Sequence, residues 1–328
     1  MQESNNLLQG LGIPHSALLS VICGVMLLSF PIGMFVVFNS DIGGDINFDY
    51  PLFELDSFKG LKLETVDLTI GDAFTILWST YVILFAIALF GPKNNFLQTI
   101  SPIIFRGSAI SDSNYLVSTI KWFSILVLIS AIIAFTQEGF GIKIIPPSVD
   151  NNLEQFFLVT LSPLVEEIGF RALLLGIPLY VIYSHKTSLK YFLKSLWYPS
   201  ENLHVYDSKK AIILIVIVGI LFGFAHISMG EPWSEGKFAQ AAASGIILGW
   251  VYFRFGLLSA ILVHWGTNSF IFSFANFTSQ INEISLDDAF NHSLMNSLEI
   301  LFLISGIISV AVLVTNYYYS KNKHRLEI

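Results

Sequence analysis

Long apolar runs alternate with short polar connections along most of the chain. A helix needs about 20 mostly apolar residues to cross a bilayer, and eight runs reach or approach that length. They cover residues 16–38, 71–91, 115–136, 152–183, 211–228, 238–255, 257–275 and 298–319. The pattern predicts an all-α fold, a polytopic membrane bundle of about eight transmembrane helices.

Two parts of this pattern are irregular. The run 152–183 is too long for one upright span, and Pro163 and Pro178 are places where a helix bends or breaks. The runs 238–255 and 257–275 are separated by one residue. We therefore expect them to form two spans with almost no connection.

The chain divides into three parts. Residues 1–150 hold the N-terminal spans and an acidic loop at 39–70, residues 151–276 form a core with the polar motifs described below, and residues 277–328 hold the last span and a basic tail. Residues 1–15 show no helical pattern and contain no Lys or Arg. A cleaved signal peptide normally has a basic start, so we expect the first span to be retained.

Composition agrees with a membrane protein. The 328 residues are 54% hydrophobic and 12% charged, whereas soluble proteins are about 25% charged. The net charge of −7 argues against a nucleic-acid partner, and the lipid bilayer is the expected surrounding. Cys23 is the single cysteine, so no intrachain disulfide can form.

The distribution of basic residues predicts the orientation of the bundle. Connections on the cytoplasmic side are rich in Lys and Arg, and eight spans put both termini on one side. That side holds twelve basic residues: Lys93, Arg106, Lys121, Lys186, Lys190, Lys194, Lys209, Lys210, Arg254, Lys321, Lys323 and Arg325. The other side holds four: Lys59, Lys62, Lys143 and Lys237. We therefore expect cytoplasmic termini and an outward-facing acidic loop.

The longest connection on the cytoplasmic side, residues 184–210, has two interpretations. It holds five lysines and an aromatic group of Tyr191, Phe192, Trp197 and Tyr198. Such a composition is typical of a helix that lies on anionic lipid. The ordinary positive charge of a cytoplasmic loop is the simpler interpretation, and we favour it.

Three short polar patterns interrupt the apolar runs of the core. Ionisable groups at bilayer depth are costly and usually functional, so their presence on three separate spans predicts a buried polar site. The patterns are Glu166-Glu167-x-x-x-Arg171, Phe222-x-x-x-His226 and His264-x-x-x-Asn268.

Of the two adjacent glutamates, one is predicted to form a structural ion pair and the other to act as a base. Residues i and i+4 share a helix face, so Glu167 and Arg171 should form an ion pair. Glu166 points about 100° away, and we expect it to face a cavity. A partly desolvated carboxylate is a stronger base. The alternative is an ion pair that only holds helices together.

The second and third patterns carry imidazoles and an amide. His226 lies one turn after Phe222, near the end of its span, where a histidine is often a surface or cap residue. His264 and Asn268 are again four residues apart and both offer side-chain donors. An Asn in a span often joins two helices. A His and an Asn on the same face favour a functional site.

In this order the three patterns resemble the CPBP family of CAAX-processing endopeptidases and bacteriocin-processing (Abi) membrane proteins, which includes the Ras-converting CAAX endopeptidase. The resemblance covers residues 152–275 and implies a glutamate-dependent intramembrane endopeptidase with a peptide or protein substrate, a lipidated tail being one form of it. It implies that Glu166 and His226 activate water and that His264 and Asn268 bind the oxyanion. Glu167, Arg171 and Phe222 would support them, without a cofactor or metal.

Three other classes remain open. Two His and a Glu also resemble a zinc triad, although the HExxH pattern is absent and an amide oxygen is a poor zinc ligand. The same groups would serve a transporter or proton relay, or a non-catalytic scaffold. The predicted orientation puts His226 toward the outer end of its span, whereas the CAAX-processing branch acts on cytosolic substrates. Either the orientation is inverted, a span is miscounted, or the substrate is cut from the outer side.

Overall fold

The computed structural model describes residues 2–55, 58, 67–106, 114–145, 151–228 and 233–326. Within these ranges the fold is all-α without a strand, as predicted. The basic residues Lys59 and Lys62 of the acidic loop lie outside the described residues.

The helices follow the predicted apolar runs. They are α1 (Gln2–Asn39), α2 (Ile70–Phe90), α3 (Phe96–Arg106), α4 (Tyr115–Gly139), α5 (Asn152–Glu166), α6 (Ile177–Tyr183), α7 (Leu189–Trp197), α8 (Pro199–Asn202), α9 (Ser208–Ser228), α10 (Lys237–Trp265), α11 (Ile271–Asn282), α12 (Leu286–Phe290) and α13 (Ser293–Leu326). Two π-helical segments, Glu167–Gly176 and Gly266–Phe270, continue α5 into α6 and α10 into α11. Each predicted run therefore lies within a helix, to within one residue at its ends.

Six helical stretches of the described chain are long and apolar enough to cross a membrane. One of them, Lys237–Asn282, is 46 residues long and contains a backbone break at Gly256, so it holds two of the predicted spans. The helix over 152–183 is not among the six, because Glu166, Glu167 and Arg171 lie in its middle. If Lys237–Asn282 is counted as two spans and the helix over 152–183 is added, the six stretches become the eight predicted spans.

Helix α1 is longer than its apolar run. It begins at Gln2, so the expectation that residues 1–15 lack a helix is wrong. His15 is fully buried in α1, and its Nε2 lies 3.0 Å from the Ser309 hydroxyl of α13. Contact with the last helix, which local sequence cannot reveal, stabilises this extension.

The stretch Lys237–Asn282 forms the centre of the bundle. Of its most apolar 18 residues, 83% are buried, whereas the corresponding share for the last helix is 28%. Trp265 is surrounded by aromatic rings and stacks on Phe30 at 5.3 Å between centroids. Helix α9 approaches α10 closely, since a Cβ on Gly245 would lie 2.8 Å from the Gly219 carbonyl oxygen. The core motifs are therefore carried by tightly packed helices.

The break in α10 is fixed by the connection 184–210. Gly256 has φ 85° and ψ 173°, a backbone conformation open essentially to glycine alone. The Tyr252 hydroxyl donates to the Leu196 carbonyl at 2.8 Å, and the Ser200 hydroxyl donates to the Arg254 carbonyl at 3.1 Å. The connection thus contains the helices α7 and α8, which pack against the break. Leu189 and Leu193 of α7 are exposed.

Candidate active site

The first motif lies where α5 passes into the first π-helical segment. Such segments occur often at functional sites. The expected ion pair is present, with Arg171 Nε 3.2 Å from Glu167 Oε2, and both side chains are fully buried. Two buried charges are stable only when they are paired, so this pair has a structural role.

Glu167 also joins the first motif to the third. His264 Nδ1 lies 2.8 Å from Glu167 Oε1. An ionised carboxylate only accepts hydrogen bonds, so His264 donates from Nδ1. This bond fixes the ring and leaves Nε2 as the nitrogen that faces Glu166, at 3.9 Å from its Oε2.

Arg171 joins the first motif to the second. Its guanidinium carbon lies 4.3 Å from the centroid of the Phe222 ring, a cation–π distance. The same ring lies 4.6 Å from the His226 ring and 6.0 Å from the His264 ring. Phe222 therefore lies between the buried ion pair and the two imidazoles. These contacts explain why the second motif has an aromatic residue at this position.

A cavity of about 510 Å³ lies beside these contacts. The four residues predicted to be catalytic, Glu166, His226, His264 and Asn268, all line it. They come from three separate helices of the core. Glu167 and Arg171 do not line the cavity and lie behind it.

Glu166 is the carboxylate that faces the cavity. Its side chain is 27% exposed, whereas that of Glu167 is fully buried. Among the described residues, none gives a hydrogen bond to Glu166 Oε2, although that atom is buried. A buried, unpaired carboxylate oxygen is costly, and it is ready to accept a proton or a hydrogen bond from a molecule in the cavity.

His226 has a defined tautomer in its neutral form. Its Nδ1 lies 2.9 Å from the Phe222 carbonyl oxygen. Since a carbonyl oxygen only accepts, Nδ1 carries the proton and Nε2 is left as an acceptor. The ring can therefore accept a hydrogen bond from a water molecule.

Asn268 is held by polar neighbours that the sequence pattern does not identify. Its Nδ2 donates to the Ser162 hydroxyl at 3.0 Å and lies 3.5 Å from His264 Nε2. The Thr267 hydroxyl lies 3.3 Å from Asn268 Oδ1 and donates to the His264 carbonyl at 2.8 Å. The amide nitrogen is thereby directed toward the side of the cavity where His264 lies.

Several further polar residues line the cavity and were not predicted. They are Ser130, Ser162, Trp233, Lys237, Gln240, Ser244, Thr267 and Glu299. From the sequence, Glu299 reads as the edge of a span and Lys237 as loop charge. Ser162 lies four residues before Glu166, so helix geometry indicates it, and Thr267 directly precedes Asn268. Only the packing of the helices identifies the others.

The described side chains of the cavity do not form a metal site. Within the ranges that the structure describes, no group of three or more His, Cys, Asp and Glu side chains is arranged to hold a metal ion. The donors around the cavity suit proton transfer and hydrogen bonding to a polarised carbonyl group.

The segment that carries the three motifs matches a known protein family. Residues 150–270 match the family model described as "Type II CAAX prenyl endopeptidase Rce1-like", and the matched segment contains all three motifs. The match supports the resemblance to the CAAX protease family that the motifs predicted. No curated protein and no solved structure matches the chain. This match and the six apolar helices support an integral membrane protein whose segment 150–270 is similar to a protease family.

Proposed function

We propose that this protein is an intramembrane, glutamate-dependent endopeptidase in which Glu166 and His226 activate a water molecule. The observation that supports it best is the common cavity of Glu166, His226, His264 and Asn268. In this proposal the substrate is a peptide or protein segment at the membrane, with or without a lipidated tail.

Glu166 acts as the general base. A water molecule between Glu166 and His226 gives its proton to the carboxylate, and its oxygen attacks the carbonyl carbon of the scissile bond. His226 Nε2 accepts the second hydrogen of that water and orients it. When the tetrahedral intermediate collapses, Glu166 passes the proton to the leaving amine.

Asn268 and His264 stabilise the negative charge that develops on the carbonyl oxygen. Asn268 Nδ2 and His264 Nε2 are 3.5 Å apart, so one oxygen atom can reach both. His264 donates from Nε2 when its ring is charged, because Nδ1 already donates to Glu167. A donor placed in this way typically contributes about 3 kcal/mol to the transition state.

Glu167, Arg171 and Phe222 hold these groups in position. Glu167 fixes the His264 ring, and Arg171 and Phe222 connect that contact to the helix of His226. Catalytic geometry must be maintained to about 0.5 Å, which explains a buried ion pair behind the cavity.

The proposal is tested by cleavage of a peptide library by the purified protein in detergent. The Glu166→Gln variant keeps the shape of the side chain and removes the base, so we expect cleavage to be lost. Glu299→Gln is the matched control, because it neutralises another carboxylate of the same cavity and should retain most of the activity.

Two results would contradict this assignment. Full activity of Glu166→Gln would show that Glu166 is not the general base. Inhibition by a metal chelator that zinc reverses would favour the metalloprotease, the alternative that the same His and Glu residues suggest.

A further inference from the structure

Lys237 is a cation in the cavity for which the proposed reaction gives no role. It is the first residue of α10 and lines the same cavity as Glu166. Its Nζ donates to Gln240 Oε1 at 2.7 Å and lies 4.2 Å from the centroid of the Trp233 ring. Over the ranges that the structure describes, no carboxylate forms an ion pair with it.

A directly paired anion would stabilise a lysine at this position. The N-terminus of a helix carries partial positive charge, so a cation in the first turn is destabilising. An ammonium group that is partly removed from water adds a further cost when it has no anionic partner. Glu166 in the same cavity offsets part of this cost, but no described carboxylate lies within ion-pair distance of the ammonium group. The ammonium group is therefore free to pair with an anionic group of a ligand.

The segment that carries Lys237 is held in place by neighbouring helices. The Ser234 hydroxyl donates to the Lys143 carbonyl at 3.0 Å, and Gln137 Nε2 donates to the Gly236 carbonyl at 2.8 Å. The Trp233 amide donates to the His226 carbonyl at 3.0 Å. The ammonium group therefore has a defined position relative to His226, as a specificity contact requires.

The other charges that line the cavity are negative. Glu166 and Glu299 are the carboxylates of its lining, and Lys237 is the one Lys or Arg side chain among the described residues that line it. An anionic group that enters the cavity is repelled by the carboxylates and attracted by Lys237. The charge pattern thus defines where in the cavity a negatively charged part of a ligand binds.

We propose that Lys237 binds a carboxylate of the substrate and so sets the position of the peptide relative to Glu166. The carboxylate comes either from the C-terminus of the substrate or from an Asp or Glu side chain. This inference rests on the proposed peptidase function. It adds a determinant of which peptides are accepted.

The experiment measures peptide binding by calorimetry in detergent, in a Glu166→Gln background so that no peptide is cleaved. The probes are an N-acetylated apolar tetrapeptide with a free C-terminal carboxylate, the same peptide as its C-terminal amide, and an amide that ends in Glu. Each is titrated into the background protein and into its Lys237→Gln, Lys237→Arg and Lys143→Gln derivatives. Lys143 is exposed and lies on the adjoining loop outside the cavity lining, so it controls for loss of one positive charge.

A charge-assisted hydrogen bond predicts binding roughly tenfold to a hundredfold tighter for a carboxylate peptide than for the plain amide. Lys237→Gln should abolish this preference, whereas Lys237→Arg and Lys143→Gln should retain it. Preference for the free C-terminus or for the Glu side chain identifies the source of the carboxylate.

The inference is overturned if neither carboxylate peptide binds more tightly than the amide, if no peptide binds, or if the preference survives Lys237→Gln. The proposed function has a separate test, since it fails when Glu166→Gln retains cleavage, whatever the result for Lys237.

Discussion

At the scale of single residues, Glu167 connects the candidate site. Its carboxylate contacts Arg171 four positions away and His264 on a distant helix. Arg171 extends the connection to Phe222. Glu167, Arg171, His264 and Phe222 therefore form one continuous set of contacts, and each motif supplies at least one member.

Asn268→Ala should lower kcat about a hundredfold or more with little change in KM, because it removes a donor that acts mainly in the transition state. Steady-state kinetics on a peptide that the wild type cleaves would measure this. Asn276→Ala is the control, since Asn276 bonds to the Phe272 carbonyl and lies outside the cavity lining. An equal loss in both variants, or a defect confined to KM, would argue against the oxyanion role.

The contacts within one helix were predictable, and the contacts between helices were not. The spacing of Glu167 and Arg171 indicates their ion pair because four residues bring side chains together on one helix face. Nothing local indicates that His264 meets Glu167, or that Ser162 meets Asn268. The sequence indicates only loop charge for Lys237, because its place in the cavity depends on how α4 and α9 pack.

At the scale of helices, apolar runs predict most of the fold because each span must be apolar along its length. The break at Gly256 is the feature that separates two of these runs. A Cβ at this position would lie 2.8 Å from the Trp197 carbonyl oxygen. Both the backbone conformation and the contact with the connection 184–210 therefore require glycine.

Gly256→Ala should destabilise the protein by about 1–3 kcal/mol, because alanine is strained at this positive φ. Thermal unfolding in detergent would show the change as a lower Tm. Gly24→Ala is the control, since a Cβ on Gly24 meets no atom within 4 Å and alanine favours the helix. Unchanged Tm for Gly256→Ala would show that the break tolerates a side chain.

At the scale of the whole molecule, the cavity lies near one end of the bundle. Lys237 begins α10, His226 lies in the last turn of α9, and both line the cavity. The positive charge in the connections predicts that this end faces away from the cytoplasm. Together these positions predict that substrate enters from the outer side.

Labelling with a membrane-impermeant maleimide tests this orientation. Asp45→Cys and Thr187→Cys place thiols at exposed positions in connections that we predict to lie on opposite sides of the membrane. In intact cells Asp45→Cys should react, and Thr187→Cys should react only after permeabilisation. The native chain is the control, since Cys23 is buried. Reaction of Thr187→Cys but not of Asp45→Cys in intact cells would show that the cavity faces the cytoplasm.

The most direct test of the account is hydrolysis of a peptide by the purified protein in water enriched in oxygen-18, followed by mass spectrometry of the products. Activation of water by Glu166 predicts one oxygen-18 atom in each new C-terminal carboxylate and no products from Glu166→Gln. Products without the label, or labelled products at the wild-type rate from Glu166→Gln, would contradict it.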